Sequence, residues 1–172
     1  MKGASTKMDL EAVRAHVRRW VETTLSVPSP RFQNLPPCPY SREALLKDKV
    51  DIRCVDGGQL LACVADLATT WDDRHELVLL AAEPDTIAPE ALAAGIVEAN
   101  ACLEASDLVV FFDHPRCMDP KHRVTSANGR YVFVGMQRLS LFIEAARPLH
   151  KRKYFEQAEK QYQVVKHLEK RG

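Results

Sequence analysis

The sequence is short of the features that mark membrane proteins and nucleic-acid-binding proteins. Its 172 residues contain no uninterrupted apolar run of the roughly 20 residues that a membrane-spanning helix needs. The formal net charge of +1 provides no overall basic field of the kind that attracts phosphates. We therefore expect no membrane anchor and no nucleic-acid partner. No apolar run follows the first residues, M-K-G-A-S-T-K-M-D, so we expect no signal peptide and predict a cytoplasmic location.

Several familiar functional motifs are also missing. The chain contains no G-x-G-x-x-G, no G-x-x-x-x-G-K-[ST], no G-x-S-x-G and no H-E-x-x-H, so no motif points to dinucleotides, nucleoside triphosphates, serine hydrolysis or a zinc peptidase. The D-G-G sequence at residues 56–58 is too short for a phosphate-binding loop. The five cysteines form no C-x-x-C pair, and their odd number and irregular spacing favour reduced thiols.

The composition is that of an ordinary folded domain. Hydrophobic residues make up 46% of the chain and charged residues 27%, without the excess of polar residues and proline that marks disorder. A chain of this length can bury a substantial core. We predict a single domain over residues 1–172, with residues 1–8 flexible.

Hydrophobic periodicity predicts helices and strands in alternation. Apolar residues recurring every three or four positions predict an N-terminal helix over residues 10–25 that ends by Ser26, before a proline-rich connector. The elements predicted after it are helix 41–49, strand 50–55, helix 59–71, strand 75–82, helix 89–103, strand 107–112, strand 131–134, a helix from residue 136 that stops at Arg147-Pro148, and a terminal helix over residues 151–169. Strands that alternate with helices are typical of parallel neighbours joined by helical crossovers. We predict an α+β fold with a four-stranded mixed sheet, built as a βαβαβ core plus one further strand, covered by helices and flanked by N- and C-terminal helices.

The segment D-H-P-R-C at residues 113–117 directly follows the most apolar predicted strand. Ligands usually bind beyond the carboxyl ends of strands in open sheets with parallel strands. His114 is therefore a candidate general base, proton donor or metal ligand, since the pKa of a free imidazole, about 6.5, is easily tuned. Asp113 is a candidate catalytic neighbour. The alternative is a turn whose side chains bond to the local backbone.

The same segment can be read as a metal site. His114, Cys117 and His122 have the spacing H-x-x-C-x-x-x-x-H, and imidazole and thiolate ligands together suit zinc or iron. Cys38 or Asp113 could complete a tetrahedral shell of four ligands. The spacing matches no strong pattern, and the alternative places His122 in solvent beside basic neighbours.

Cys38 lies between prolines in N-L-P-P-C-P-Y, residues 34–40, unlike a structural cysteine in an apolar helix or strand. A stiff segment of this kind either closes a loop or presents a thiol. Paired with His114 as base, Cys38 would be a candidate nucleophile. A helix that begins near Ser41 would help to lower the pKa of this thiol.

Two arginines are candidate ligands for an anionic substrate. Arg130 follows an Asn-Gly turn and Arg138 follows Met136-Gln137, and a guanidinium group forks onto carboxylate or phosphate. Surface ion pairing is the more frequent role of such arginines.

The order of short motifs resembles an uncharacterised bacterial domain family whose members contain L-N-L-C-P-F and a later F-H-P. The matching residues are Trp20 in the first helix, Cys38 within N-L-P-P-C-P-Y, and F-F-D-H-P at residues 111–115. Asn128 and Arg130 are similar to an N-R pair ahead of a helix in that family. The chain departs from the pattern through the doubled proline at residues 36–37, the inserted Asp113 and Gly129. The resemblance implies an α+β fold and a cluster of Cys38, His114, Asn128 and Arg130, but no reaction.

Two functional hypotheses follow. The first is a small cytosolic enzyme, dependent on a metal or a thiol, whose pocket gathers Cys38, Asp113, His114 and Arg130 around a small anionic substrate. The second is a non-catalytic interaction module that partners a biosynthetic enzyme, in which the proline-rich segment fixes the first helix onto the sheet. A reactive Cys38 thiol favours the first hypothesis, and a buried, inert thiol favours the second.

Overall fold

The computed structural model describes residues 8–117 and 127–151, and within them it shows five α-helices over one four-stranded mixed sheet. The helices are α1 (Leu10–Trp20), α2 (Ser41–Leu46), α3 (Leu60–Thr69), α4 (Pro89–Leu103) and α5 (Leu139–Lys151). The strands are β1 (Val50–Cys54), β2 (Leu77–Ala82), β3 (Leu108–Asp113) and β4 (Val132–Arg138). The predicted α+β fold with a helix-covered mixed sheet is confirmed. The predictions for residues 1–7 and for a helix beyond Lys151 lie outside the described residues.

The strands lie in the order β1-β2-β4-β3. β1 is parallel to β2, whereas β4 is antiparallel to both of its neighbours. As a result β1, β2 and β3 all end at one edge of the sheet, which we call the carboxyl edge, and β4 begins there. β4 ends at the opposite edge, which we call the amino edge. The loops that follow three strands and precede the fourth therefore meet at the carboxyl edge.

Each face of the sheet has its own apolar core. α3 and α4 cover one face, where the strand residues Val78, Val110 and Val134 are buried. α1 covers the other face, where Leu79 and Phe133 are buried. Neighbouring residues of one strand thus serve opposite cores, as the alternation of side chains along a strand requires. Within the described residues, no helix combines the length and the apolar character needed to cross a membrane.

The first helix follows its sequence signals. Asp9 caps α1 by accepting a hydrogen bond from Glu11 N at 3.0 Å. α1 continues into a π-helical segment, Val21–Leu25, so the helical region ends at Ser26 as predicted. Val13 and Val17 bury the inward face of α1 against the sheet.

Two local predictions are wrong. Residue 136 does not begin a helix, because β4 is a central strand and Met136 pairs with both Val78 and Val110. The last described helix is not stopped by Pro148, which lies inside α5, although a proline in a helix interior removes one backbone hydrogen bond and crowds the carbonyl four residues earlier. At the start of α2, the Ser41 hydroxyl donates to Cys38 O at 2.8 Å.

Candidate functional site at the carboxyl edge

At the carboxyl edge, one carboxylate and one carboxamide connect the end of β3 to the segment before β4. Asp113 is the last residue of β3, and Asn128 lies four residues before β4. Asp113 Oδ2 accepts hydrogen bonds from Asn128 N at 2.7 Å and from Asn128 Nδ2 at 2.5 Å. These two bonds fix the carboxylate at the position where the strand-end rule predicts a ligand site.

The Asn128 side chain also organises the turn that leads into β4. Its Nδ2 donates to Tyr131 O at 2.8 Å, and its Oδ1 accepts from Arg130 N and Tyr131 N at 2.9 and 2.8 Å. Because Nδ2 faces two oxygens, the amide orientation is fixed and Oδ1 is the acceptor. His16 Nε2, 3.2 Å away, is therefore the donor to this oxygen. One amide thus connects β3, β4 and α1.

Three side chains stack beside this amide. The His16 and Tyr131 rings meet edge to face with centroids 5.3 Å apart, and the Arg130 guanidinium carbon lies 4.9 Å from the Tyr131 ring centroid. Tyr131 is buried, whereas Arg130 is exposed. Stacking on the ring places the positive charge of Arg130 at the solvent boundary of the site. Gly129, at φ 72°, supplies the left-handed turn residue between Asn128 and Arg130.

The environment of Asp113 raises the proton affinity of its carboxyl group above the ordinary value. Burial raises the pKa of the Asp113 carboxyl, and the hydrogen bonds from Asn128 lower it to a smaller extent. Asp113 as a residue is half-buried, and its carboxyl has a raised proton affinity. Carboxyl groups in this condition are typical of sites that transfer protons.

His114 is buried, with an exposed fraction of 2%. Its Nδ1 accepts a hydrogen bond from Arg116 N, and its Nε2 donates to Ile87 O, both at 3.0 Å. These partners suit the neutral imidazole that carries its proton on Nε2. His114 therefore connects the end of β3 to the loop before α4, with both ring nitrogens already bonded to backbone groups.

Cys38 forms its hydrogen bonds with residues other than the predicted neighbours His114 and Asp113. Its backbone N donates to Leu25 O at 2.9 Å, and its backbone O accepts from Ser41. Burial raises the pKa of the Cys38 thiol, and hydrogen bonds from Ser41 and the Tyr40 backbone lower it to a smaller extent. The lowering that we predicted from the nearby helix is outweighed by burial. In the described part of the chain, no hydrogen bond joins Cys38 to His114 or Asp113.

The structure describes two of the three predicted metal ligands, His114 and Cys117. Cys117 N donates to His114 O at 3.0 Å, so these two residues are close through their backbones. His122 lies outside the described residues. Among residues 8–117 and 127–151, no group of three histidine, cysteine, aspartate or glutamate side chains is arranged to hold a metal ion.

Arg138 lies at the amino edge, opposite Arg130. Its Nε and Nη2 donate to the two carboxylate oxygens of Asp73 at 2.8 and 3.0 Å, and Nη1 donates to Ser106 O at 3.3 Å. Arg130 lies two residues before β4 and Arg138 is its last residue, so the structure does not bring the two predicted anion ligands together. Arg138 instead ties the loop after α3 to the start of β3.

The site includes two residues that the sequence analysis did not single out, His16 and Tyr131. His16 has a usable signal, since it shares the inward face of α1 with Val13, Val17 and Trp20. A polar residue on such a face needs a partner. Its partner, Asn128, is 112 positions away in the sequence, so the contact itself has no local signal.

Comparisons with known proteins add no relative. A scan against protein-family models finds no match, and searches of curated proteins and of solved structures find none either. The resemblance to the bacterial domain family therefore stays a prediction from short motifs, and the geometry of the carboxyl edge is the basis for a functional proposal.

Proposed function

We propose that the chain is a small enzyme that binds an anionic small molecule at the carboxyl edge, where Arg130 holds the anion and Asp113 accepts a proton from it. The observation that carries this proposal is the Asp113–Asn128 pair. Asn128 fixes the carboxylate and, through its Oδ1, the backbone of Arg130 in one network. A proton acceptor and a cation are thus positioned by the same side chain.

Arg130 is suited to hold an anion at this position. Its guanidinium face rests over Tyr131, whereas carboxylate and phosphate groups bind to the edge of a guanidinium, where its N–H donors lie. The two interactions are compatible. A stacked guanidinium also loses less side-chain freedom when the ligand binds, because its position is already restricted.

Asp113 is suited to proton transfer. In the proposed step, the proton leaves a C–H, N–H or O–H bond of the substrate for an Asp113 carboxylate oxygen. The proton then returns to another substrate atom or passes to water, so the enzyme is unchanged. A pKa raised by burial brings the carboxylate closer to the range in which general bases work best.

The thiol- and metal-dependent forms of the enzyme hypothesis have less support. The half-buried Cys38 has a thiol pKa raised by burial, so it carries little thiolate. His114 does not fit as a metal ligand while both of its ring nitrogens are bonded to backbone groups. Binding of zinc or iron to Cys117 and His122 stays a proposal. Elemental analysis of protein purified without chelator, beside Cys117→Ser, tests it through the metal content.

A thermal-shift screen tests the proposed function. The panel consists of small phosphates, phosphate esters and carboxylates, applied to the wild type, Arg130→Gln and Arg138→Gln. Arg138 is a matched control, since it is an arginine at the other end of the same strand. We expect at least one compound to raise the melting temperature of wild type and Arg138→Gln but not of Arg130→Gln. A panel that stabilises none of them, or that stabilises Arg130→Gln equally, contradicts the proposal.

The interaction module is the second candidate, and one observation favours it. Cys38 N bonds to Leu25 O, and the Tyr40 hydroxyl donates to Ala145 O at 3.1 Å, so the proline-rich segment connects the end of the first helical region to α5. Tyr40 and Leu141 remain 44% and 47% exposed, and Leu141 lies one helical turn before Ala145. This reading predicts that Leu141→Ser abolishes binding of a partner protein while leaving every anion response unchanged.

A further inference from the structure

The two outer strands of the sheet, β1 and β3, differ in whether the backbone groups on their outer edges are hydrogen-bonded. On β3, Asn100 Nδ2 donates to Val110 O, and Asn100 Oδ1 accepts from Val110 N, each at 2.9 Å. One side-chain amide from α4 thus occupies both outward backbone groups in the middle of that edge. Covering an edge in this way protects it from pairing with another strand.

The outer edge of β1 has no such cover in the part of the chain that the structure describes. Leu77 N donates to Lys49 O and Val55 N donates to Ala81 O, so the odd-numbered residues of β1 bond to β2. The N–H and C=O groups of the even-numbered residues therefore point away from β2. Within residues 8–117 and 127–151, these outward groups have no hydrogen-bond partner. The strand contains no proline and its pairing register is unbroken.

The sequence of β1 is also complementary to itself. When V-D-I-R-C is paired antiparallel with a second copy about Ile52, Asp51 lies opposite Arg53 of the other copy, and this pair occurs twice by symmetry. Within one chain, Arg53 Nε lies 2.7 Å from Asp51 Oδ2, with the side chains 49% and 23% exposed. Both charges therefore project from the same face of the strand. Opposite charges on facing strands stabilise a sheet, and like charges destabilise it.

We propose that two copies of the chain dimerise by antiparallel pairing of their β1 strands about a two-fold axis through Ile52. The two four-stranded sheets then form one continuous sheet. Ile52 exchanges backbone hydrogen bonds with Ile52 of the other copy, and Val50 does so with Cys54. Asp51 and Arg53 occupy the pairs without backbone hydrogen bonds, where the Cα atoms approach to about 4.5 Å and side chains contact closely.

The covered β3 edge limits this assembly to two copies. A two-fold interface uses the same surface on both subunits, so each β1 edge is consumed by the pairing. The outer edges of the combined sheet are then the two β3 strands, whose central backbone groups are held by Asn100. The dimer is therefore closed, and further strand addition is not expected.

Sedimentation equilibrium of the full chain tests the proposal through charge reversal. Arg53→Asp places Asp51 opposite an aspartate in both symmetric pairs, and Asp51→Arg places two arginines opposite each other. We expect each single reversal to raise the dimer dissociation constant by about tenfold to a hundredfold. The double variant Asp51→Arg/Arg53→Asp is again self-complementary, and we expect it to dimerise about as tightly as the wild type.

A matched control separates this effect from the loss of an ion pair within one chain. Glu43 and Lys47 form an exposed ion pair on α2 at 2.5 Å. Glu43→Lys puts like charges side by side within the chain, as the β1 reversals do, but it leaves the β1 edge unchanged. We expect no change in the dimer dissociation constant.

Two results would overturn the proposal. The first is a wild type that sediments as a monomer at every concentration. This result would overturn the proposal even if the β1 edge pairs with a strand of another protein instead. The second is a dimer whose dissociation constant does not respond to the β1 reversals. Circular dichroism establishes that each variant is folded. If one reversal fails to fold, the other carries the same prediction and decides the outcome.

Discussion

Asn128→Ala is the substitution that most directly perturbs the network at the carboxyl edge. It removes an amide that donates to Asp113 Oδ2 and Tyr131 O and accepts from Tyr131 N. A neutral hydrogen bond contributes about 1 kcal/mol net, and a bond to a charged group about 1.5 to 3 kcal/mol. We therefore expect the free energy of unfolding to fall by about 3 to 5 kcal/mol at neutral pH, a large part of the stability of a typical domain.

The cost of Asn128→Ala depends on pH because Asn128 stabilises the ionised form of Asp113. Without the side-chain donor, the pKa of Asp113 rises further above its usual range. A carboxyl whose pKa is raised on folding stabilises the fold below its unfolded pKa, and this contribution is lost as the pH rises through the folded value. The substitution is therefore less costly below the usual aspartate pKa of about 3.9 than at neutral pH.

Urea denaturation followed by circular dichroism measures both effects. Gln59→Ala is the control, since Gln59 carries the same amide group, is exposed and makes no side-chain hydrogen bond within the described residues. We expect its cost to be within about 0.5 kcal/mol of zero. The reasoning is refuted if Asn128→Ala costs no more than the control, or if its cost is larger in acid than at neutral pH.

Three further predictions concern Cys38, Gly135 and His114. The half-buried Cys38, whose thiol pKa is raised, should react with iodoacetamide more slowly than the exposed Cys102, and mass mapping that shows faster labelling of Cys38 would contradict this. Gly135→Ala forces a methyl group into the Phe111 ring and should cost about 1 to 3 kcal/mol in urea denaturation; a neutral effect would be inconsistent with the packing. His114→Ala should cost about 2 to 4 kcal/mol, with partial recovery in His114→Gln, and equal stability of the two variants would argue against the backbone contacts.

The elements of the fold were predictable because each has a local cause. Alternating or continuous apolar residues predicted all four strands, and the first helical region ends at Ser26 as its periodicity and the following prolines indicated. The position of β4 between β2 and β3 was not predictable. Strand order depends on which apolar faces meet in three dimensions, and no residue of β4 indicates that this strand lies between two others. The same cause extends β4 past Met136, where helical spacing had favoured a helix.

The site was predictable only where one strand end specifies it. Asp113 is the last residue of β3, and the strand-end rule had directed attention to this position. The partnership of Asp113 with Asn128 crosses 15 positions, and that of Asn128 with His16 crosses 112. The thiol of Cys38 was predicted to be activated by a helix, but the sequence does not show how deeply a side chain is buried. Burial outweighs the local hydrogen bonds at that residue.

A ¹H–¹⁵N NMR titration locates the proposed anion site residue by residue. The wild type is titrated with the compound that gives the largest shift in the thermal screen, and with inorganic phosphate if none does. We expect chemical-shift changes to be concentrated at Asp113 and residues 128–131, with none at Leu108 or Arg138 on the amino edge. Changes confined to the amino edge, or no change at any residue up to millimolar ligand, would contradict this expectation.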